Sequence, residues 1–340
     1  MVSRILLMGI ARKANDLSKT YQHDVVGSSG KEAGLVDMDN VGVEARLYGY
    51  FGPTFVIPDN RRVELSTDRL SPGALDPSNT PFVSITDARR VQAQAKNSAS
   101  FFDQHGFVLL KHATAVNQWN TDYAKPSGED NDVARIYARE IEQIIRDVLL
   151  PDCQHLSIDA PAAVLRRGPG TENPFYAEGV HNDYGLSPDD YQETLQAFGY
   201  EIGADEWRRR VDRSDVRGFM VINFWRSVDT EHPVEHKPLG VCDPNTIEKE
   251  DIVPAALLNF APTGKPTNQL ALKYNENQRW YYYPRMTADE VLVFKNFVFF
   301  ETDDTVSLRS CYHSAFEDPT TPSDSVSRQS CEYRVSVFFH

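Results

Sequence analysis

From residue 101 onward the apolar positions along the chain fall into clear periods. The run FFDQHG (101–106) ends in a glycine and is followed by FVLL (107–110), the pattern of a helix end, a Gly cap and a buried strand. Over residues 130–150, Val133, Ile136, Tyr137, Ile141, Ile144, Ile145 and Val148 recur at helical spacing, which predicts a long amphipathic helix backing a sheet. After Ala163 the period shortens toward that of strands, with candidates at 163–167, 179–183, 218–227, 238–243, 269–274, 279–283, 290–300, 306–316 and 332–340. Many short strands with Pro- and Gly-rich turns imply a closed or sandwiched β architecture, and the helices that precede them make the class α+β. Residues 187–216 interrupt the strands with helical, charged sequence (DDYQETLQAFG, then DEWRRRVDR). Its place just after Asp183 predicts a lid over whatever site that carboxylate serves.

The first hundred residues are of mixed character. Residues 43–56 are strand-like but broken by Gly52-Pro53, Pro72-Gly73 marks a turn, and 87–97 has helical composition. Gly27-Ser28-Ser29-Gly30-Lys31 is a loop rather than a phosphate loop, because its glycines are too close and no Ser or Thr follows the lysine. The expected organisation is one domain over 1–340: a mixed N-terminal extension (1–100), a helical backing (101–160) and a β core (161–340) carrying the insertion 187–216.

Composition narrows the partners. With 41% hydrophobic and 11% aromatic residues, 340 residues can bury a full core. A net charge of -14 and a pI near 5.1 exclude the basic footprint that nucleic acid or an anionic membrane demands, which leaves a small molecule as the expected partner. The apolar run at 5–11 is short and has no cleavage pattern, and no stretch approaches the ~20 apolar residues of a membrane span. Cys153, Cys242, Cys311 and Cys331 have no C-x-x-C spacing and form no dense framework, so a reducing, cytoplasmic compartment is expected. A homodimer is the ordinary expectation.

The chemistry is concentrated in His181-Asn182-Asp183. On a strand, residues two apart share a face, so His181 and Asp183 project together while Asn182 points away. Of the nine histidines only His181 has an acidic residue two positions later. Two imidazoles and one carboxylate on one face, with the opposite positions open, are what a non-haem Fe(II) centre that activates O2 requires. His313, in the strand-like run 306–316, supplies the third ligand. Near the C-terminus, Arg328-Gln329-Ser330 and Arg334-Val335-Ser336 both have the form R-x-S, in which a guanidinium and a hydroxyl can meet one carboxylate. Asn223 and Arg226 in INFWRS, and Tyr274 in LKYN, are further candidates to touch cosubstrate or substrate; Tyr184, directly after the carboxylate, is a weaker one.

These pieces resemble the iron- and 2-oxoglutarate-dependent oxygenase superfamily, and within it the AsaB-like hydroxylase/desaturase group of secondary-metabolite biosynthesis. The similar segments are FFDQHGFVLL (101–110), VHNDYG (180–185), INFWRS (222–227), RWYYYPRMTADEVLVFKNF (279–297), HSAFEDP (313–319) and RQSCEYRVSVF (328–338). The resemblance implies a double-stranded β-helix (jelly-roll, cupin-like) core. It assigns His181, Asp183 and His313 to Fe(II), and the 2-oxoglutarate carboxylate to Arg328 or Arg334, with the interval from His313 favouring Arg328. It also implies O2 as oxidant and hydroxylation, desaturation or oxidative cyclisation of a small or amino-acid-derived metabolite as the outcome.

Three other readings compete. His232-Pro233-Val234-Glu235-His236 has the H-x-x-E-H form of inverted zinc peptidases, but that motif needs a helix, and Pro233 and Pro238 make a loop instead. A cupin-like binding protein without chemistry would have little reason to carry the whole triad and an arginine. An iron oxidase independent of 2-oxoglutarate would need the triad but no anchoring arginine.

Overall fold

The computed structural model describes residues 42–57, 62–66, 80–119, 131–301 and 309–340. The glycine loop at 27–31, the apolar run at 5–11 and the Pro72-Gly73 turn lie outside the described residues.

The helical backing forms where the apolar spacing predicts it. Helix α1 (Ala88–Gln92) is shorter than the sequence suggests, giving way to turns before α2 (Ser98–His105). Asn97 caps α2 with a reciprocal bond to Ser100, and Gly106 closes it in the left-handed region (φ 75°), donating its N–H to the Phe102 carbonyl. Helix α3 (Ala138–Ile144) is extended by π-helical turns at Val133–Tyr137 and Ile145–Leu149. It buries Tyr137, Ile141, Ile144 and Ile145 and leaves Val148 exposed.

The strands, numbered along the described residues, build three sheets. A six-stranded sheet runs β4 (Phe107–Lys111), β12 (Glu290–Phe300), β7 (Gly218–Ser227), β14 (Ser330–Phe339) and β5 (Leu156–Asp159), with β6 (Leu165–Arg167) also on β14. A five-stranded sheet runs β1 (Gly42–Arg46), β3 (Phe82–Asp87), β11 (Trp280–Tyr282), β8 (Leu239–Cys242) and β13 (His313–Ala315). The third is β10 (Thr267–Leu272), β9 (Ile252–Leu258) and β2 (Val63–Ser66). The architecture is α+β. Strands β7 and β12 keep the bounds the alternation predicts, whereas the expected strand at 179–183 is reduced to isolated bridges. That short segment nonetheless joins two sheets, pairing His181 with His313 of β13 and Asn182 with Leu270 of β10. Sequence reasoning missed β9, whose Pro254 reads as a strand breaker.

Alternation along β7 and β14 gives the large sheet two different faces. Met220, Ile222, Phe224, Tyr333, Val335 and Val337 join the core that includes Tyr137, Ile141 and Ile145 of the helical layer. The other face carries Trp225, Glu332 and Arg334, which line one cavity together with Leu239 of β8 and His313 and Ala315 of β13. The six- and five-stranded sheets therefore face each other across that cavity. The insertion after Asp183 folds as α4 (Pro188–Ala197) and α5 (Glu201–Val211) and seats Tyr191 and Trp207 against Phe219, Phe297 and Phe338. Asn268 of β10 donates to the Asp190 carbonyl, and Arg62 pairs with Asp190, so α4 is bonded to the third sheet.

Candidate active site

Backbone pairing brings the sequence-predicted triad together. The His181 N–H donates to the His313 carbonyl (3.2 Å) and the His313 N–H to the His181 carbonyl (2.9 Å), so both rings leave the same face, with centroids 4.4 Å apart. Asp183, two residues on, shares that face: Oδ1 lies 3.5 Å from His181 Nε2 and Oδ2 3.7 Å from His313 Nε2. Asn182 points the other way, donating to the Cys311 carbonyl and accepting from the Tyr184 N–H, which pins the bend after Asp183. Among the described residues, these three side chains form the group whose ligand atoms all lie within 4.8 Å of one another.

Each ring is held in the tautomer a metal needs. His181 Nδ1 lies 2.6 Å from the Gly179 carbonyl and His313 Nδ1 3.3 Å from the Cys311 carbonyl. A carbonyl can only accept, so Nδ1 carries a proton in both rings and Nε2 is the nitrogen each ring can offer a metal. Burial, reinforced by the neighbouring His181, pushes the His313 imidazole down to about 4, which keeps it neutral at ordinary pH. Burial alone would raise the Asp183 carboxyl, but the Arg334 guanidinium beside it outweighs burial and holds the acid well below the usual range. The set is two imidazoles and one carboxylate, which fits a divalent transition metal of intermediate softness.

Asp183 is itself oriented. Its Oδ2 accepts from Asn296 Nδ2 at 2.7 Å and lies 3.1 Å from Arg334 Nη2. That oxygen's lone pairs are thus committed, and Oδ1 is the oxygen left for a ligand. Sequence reasoning missed Asn296, which lies within the β-bulge of β12 between Lys295 and Phe297, where strict alternation breaks.

The two arginines that the sequence left as alternatives separate here. Arg334 donates to Glu332 Oε2 at 2.8 Å as well as facing Asp183. Arg328 is 4% exposed, packs over Tyr176 and Trp225, and donates one bond to the Lys237 carbonyl. Its Nε is buried without a partner, and burial lowers its pKa to about 10. Both arginines line the triad cavity, with Arg167, Glu332, Ala177, Trp225, Leu239 and Ala315. Ser330 is fully buried with an unpartnered Oγ and Ser336 is half-buried opposite Asp159 and Val221; neither lines the cavity.

The other candidates fall elsewhere. Asn223 lies directly across from Arg334, fully buried with both amide atoms unpartnered, but outside the cavity lining. Arg226 is on the opposite face of β7, bonded to the His112 and Ala288 carbonyls and stacked toward Trp119 and Tyr137. An odd separation within one strand puts Asn223 and Arg226 on opposite faces, so they cannot share a site. Tyr274 packs edge-on against Tyr50, away from the cavity. Tyr184 is buried in the aromatic cluster with Tyr191 and Phe297. In the H-x-x-E-H segment, His232 pairs with Asp229, Glu235 with Arg285, and His236 stacks on Tyr176, so no metal group forms there.

A family model described as the oxidoreductase/YMDC permease-like domain matches residues 68–338. The chain belongs to this family. It is 35% identical over 121 residues to the Fe(II)/2-oxoglutarate-dependent dioxygenase nvfI of Aspergillus novofumigatus, a match covering 35% of this chain and 41% of that protein. The chain thus spans under half the length of that relative. Over longer reach it is 26% identical to the hydroxylase/desaturase CTB9 of Cercospora beticola, covering 74% of this chain and 76% of that one. These relatives bear out the resemblance drawn from the motifs. A solved structure of the iron and alpha-ketoglutarate-dependent endoperoxidase NvfI superposes with a TM-score of 0.59 at 21% identity, covering 88% of this chain and 99% of that one, a likeness of fold. Among the described residues no helix is long and apolar enough to cross a membrane.

Proposed function

We propose that this protein is an Fe(II)- and 2-oxoglutarate-dependent dioxygenase that oxidises a small secondary metabolite or amino-acid-derived compound by hydroxylation, desaturation or oxidative cyclisation. In this reading the facing sheets are a double-stranded β-helix and residues 42–340 act as one catalytic domain, with α4 and α5 as its cap. The separated cysteines favour the cytoplasm. One observation carries the proposal: the two histidine Nε2 atoms and one oriented carboxylate share a cavity with a buried arginine whose Nε lacks a partner.

His181, Asp183 and His313 would hold the iron, and Arg328 with Ser330 would take the far carboxylate of 2-oxoglutarate. Bound together, iron and 2-oxoglutarate supply O2 activation and oxidation of an unactivated C–H bond, coupled to decarboxylation to succinate. The protein's own part is positional. Asn296 and Arg334 hold Asp183 with one oxygen presented, the Gly179 and Cys311 carbonyls fix both imidazoles, and Trp225, Leu239, Ala177 and Ala315 give the cavity apolar walls that limit water. Incubation with Fe(II), 2-oxoglutarate and O2 tests the reading by succinate formation. Slow uncoupled turnover that stops in His181→Ala supports it; iron-dependent O2 uptake without succinate would favour the oxidase that dispenses with 2-oxoglutarate.

A further inference from the structure

Arg167 enters the cavity from β6, and no role in the triad or in the proposed cosubstrate anchor uses it. It is 7% exposed, its Nε donates to Glu332 Oε1 at 3.1 Å, and its Nη1 is buried without a partner. Its place is built rather than incidental. Arg167 lies opposite Ser330 on β14, and the next residue, Gly168, has φ 128° at a point where a Cβ would overlap the Arg328 carbonyl oxygen. Only glycine brings β6 this close to the backbone of Arg328, and both arginines line the one cavity. The Arg167 guanidinium also lies over the ring of Phe175, an aromatic that is 53% exposed, so it borders the outside of the molecule as well as the cavity.

Charge accounting shows what is missing. Arg167, Arg328 and Arg334 face Asp183 and Glu332 in the cavity lining, leaving one positive charge. A divalent metal and dianionic 2-oxoglutarate cancel each other and leave that charge in place. Arg328 and Ser330 would take one cosubstrate carboxylate and the metal would take its other end, which would leave the Arg167 N–H unused. A buried guanidinium N–H and an uncompensated charge are both costly.

We propose that Arg167 binds a carboxylate of the substrate, so that the oxidised compound is a monoanionic organic acid. The inference rests on the dioxygenase reading above. With Nε committed to Glu332, Arg167 offers one edge of its fork, which suits a single carboxylate, and a phosphate dianion would overcharge the site.

The test uses the anaerobic Fe(II)–2-oxoglutarate complex and its visible metal-to-ligand charge-transfer band. Benzoate, cinnamate and octanoate are titrated, each against its primary amide. The expected result is that at least one acid perturbs the band and binds about tenfold or more tightly than its amide, the worth of one charge-assisted hydrogen bond. Arg167→Gln loses that preference while its 2-oxoglutarate Kd stays within about threefold of wild type, against a rise of about tenfold or more in Arg328→Gln. Arg167→Lys keeps a cation beside Glu332 and guards against a folding defect; it too should lose the preference for the acid. Equal binding of acids and amides, or no binding by either, overturns the proposal while the band itself upholds the dioxygenase reading. A 2-oxoglutarate Kd that rises as much in Arg167→Gln as in Arg328→Gln also overturns it, placing Arg167 in the cosubstrate cradle. No band in the wild-type protein defeats both readings together.

Discussion

The inner face of the large sheet has a polar centre and an aromatic end, built by the same strands. At the centre β7 and β14 contribute Trp225, Glu332 and Arg334, with Asp183 and both histidines opposite. Toward the other end they contribute Phe219, Val221 and Phe338, covered by Tyr191 and Trp207 of the insertion. The aromatic end buries large apolar surfaces and holds the sandwich shut; the centre buries charges, which seldom add stability even when paired. Stability and chemistry are therefore separable along single strands, and mutations should divide accordingly.

The largest effect is expected from His181→Ala, which should abolish measurable Fe(II) binding, a loss beyond the ~100-fold seen for outer-shell partners, with little change in melting temperature. Trp207→Ala should do the opposite, costing about 3–5 kcal/mol in denaturant unfolding while leaving the Fe(II) Kd of the folded protein nearly unchanged. If Trp207→Ala weakens iron binding as strongly as it lowers stability, the two regions are not separable. Asn296→Ala should weaken iron by about 10–100-fold, through a carboxylate no longer held in one orientation. The smallest effect belongs to Ser187→Ala. Ser187 caps α4 through the Asp190 N–H, and its loss should cost about 1 kcal/mol in thermal unfolding with no change at the metal.

The centre was more legible in the sequence than the end that supports it. Period-two spacing alone places His181 with Asp183, and Arg328 with Ser330 and Arg334, because a strand has one geometry for such pairs. The same rule, applied more strictly, separates Arg226 from Asn223. Asn296 escaped because a bulge resets the alternation just where it matters, and Arg167 because its three-residue strand shows no period at all. The helical, charged character of the insertion is plain in the sequence, whereas Tyr191 and Trp207, which fix it to the sheet, are single aromatics within polar runs. Such tertiary anchors leave no periodic trace. Pro254 hid β9 for the opposite reason, being a local signal that the surrounding sheet overrides.

What separates the two C-terminal arginines is their present company: Arg334 is engaged with Asp183 and Glu332, and Arg328 keeps a buried N–H unused. Anaerobic titration of Fe(II), with and without 2-oxoglutarate, in Arg328→Gln and Arg334→Gln tests this assignment directly. Arg328→Gln should bind iron normally yet form the charge-transfer complex only at 2-oxoglutarate concentrations raised about tenfold or more. Arg334→Gln should show weakened iron binding but a normal 2-oxoglutarate requirement once iron is saturating. The reverse pattern, with iron lost in Arg328→Gln and 2-oxoglutarate lost in Arg334→Gln, would contradict the assignment of anchor and positioning residue.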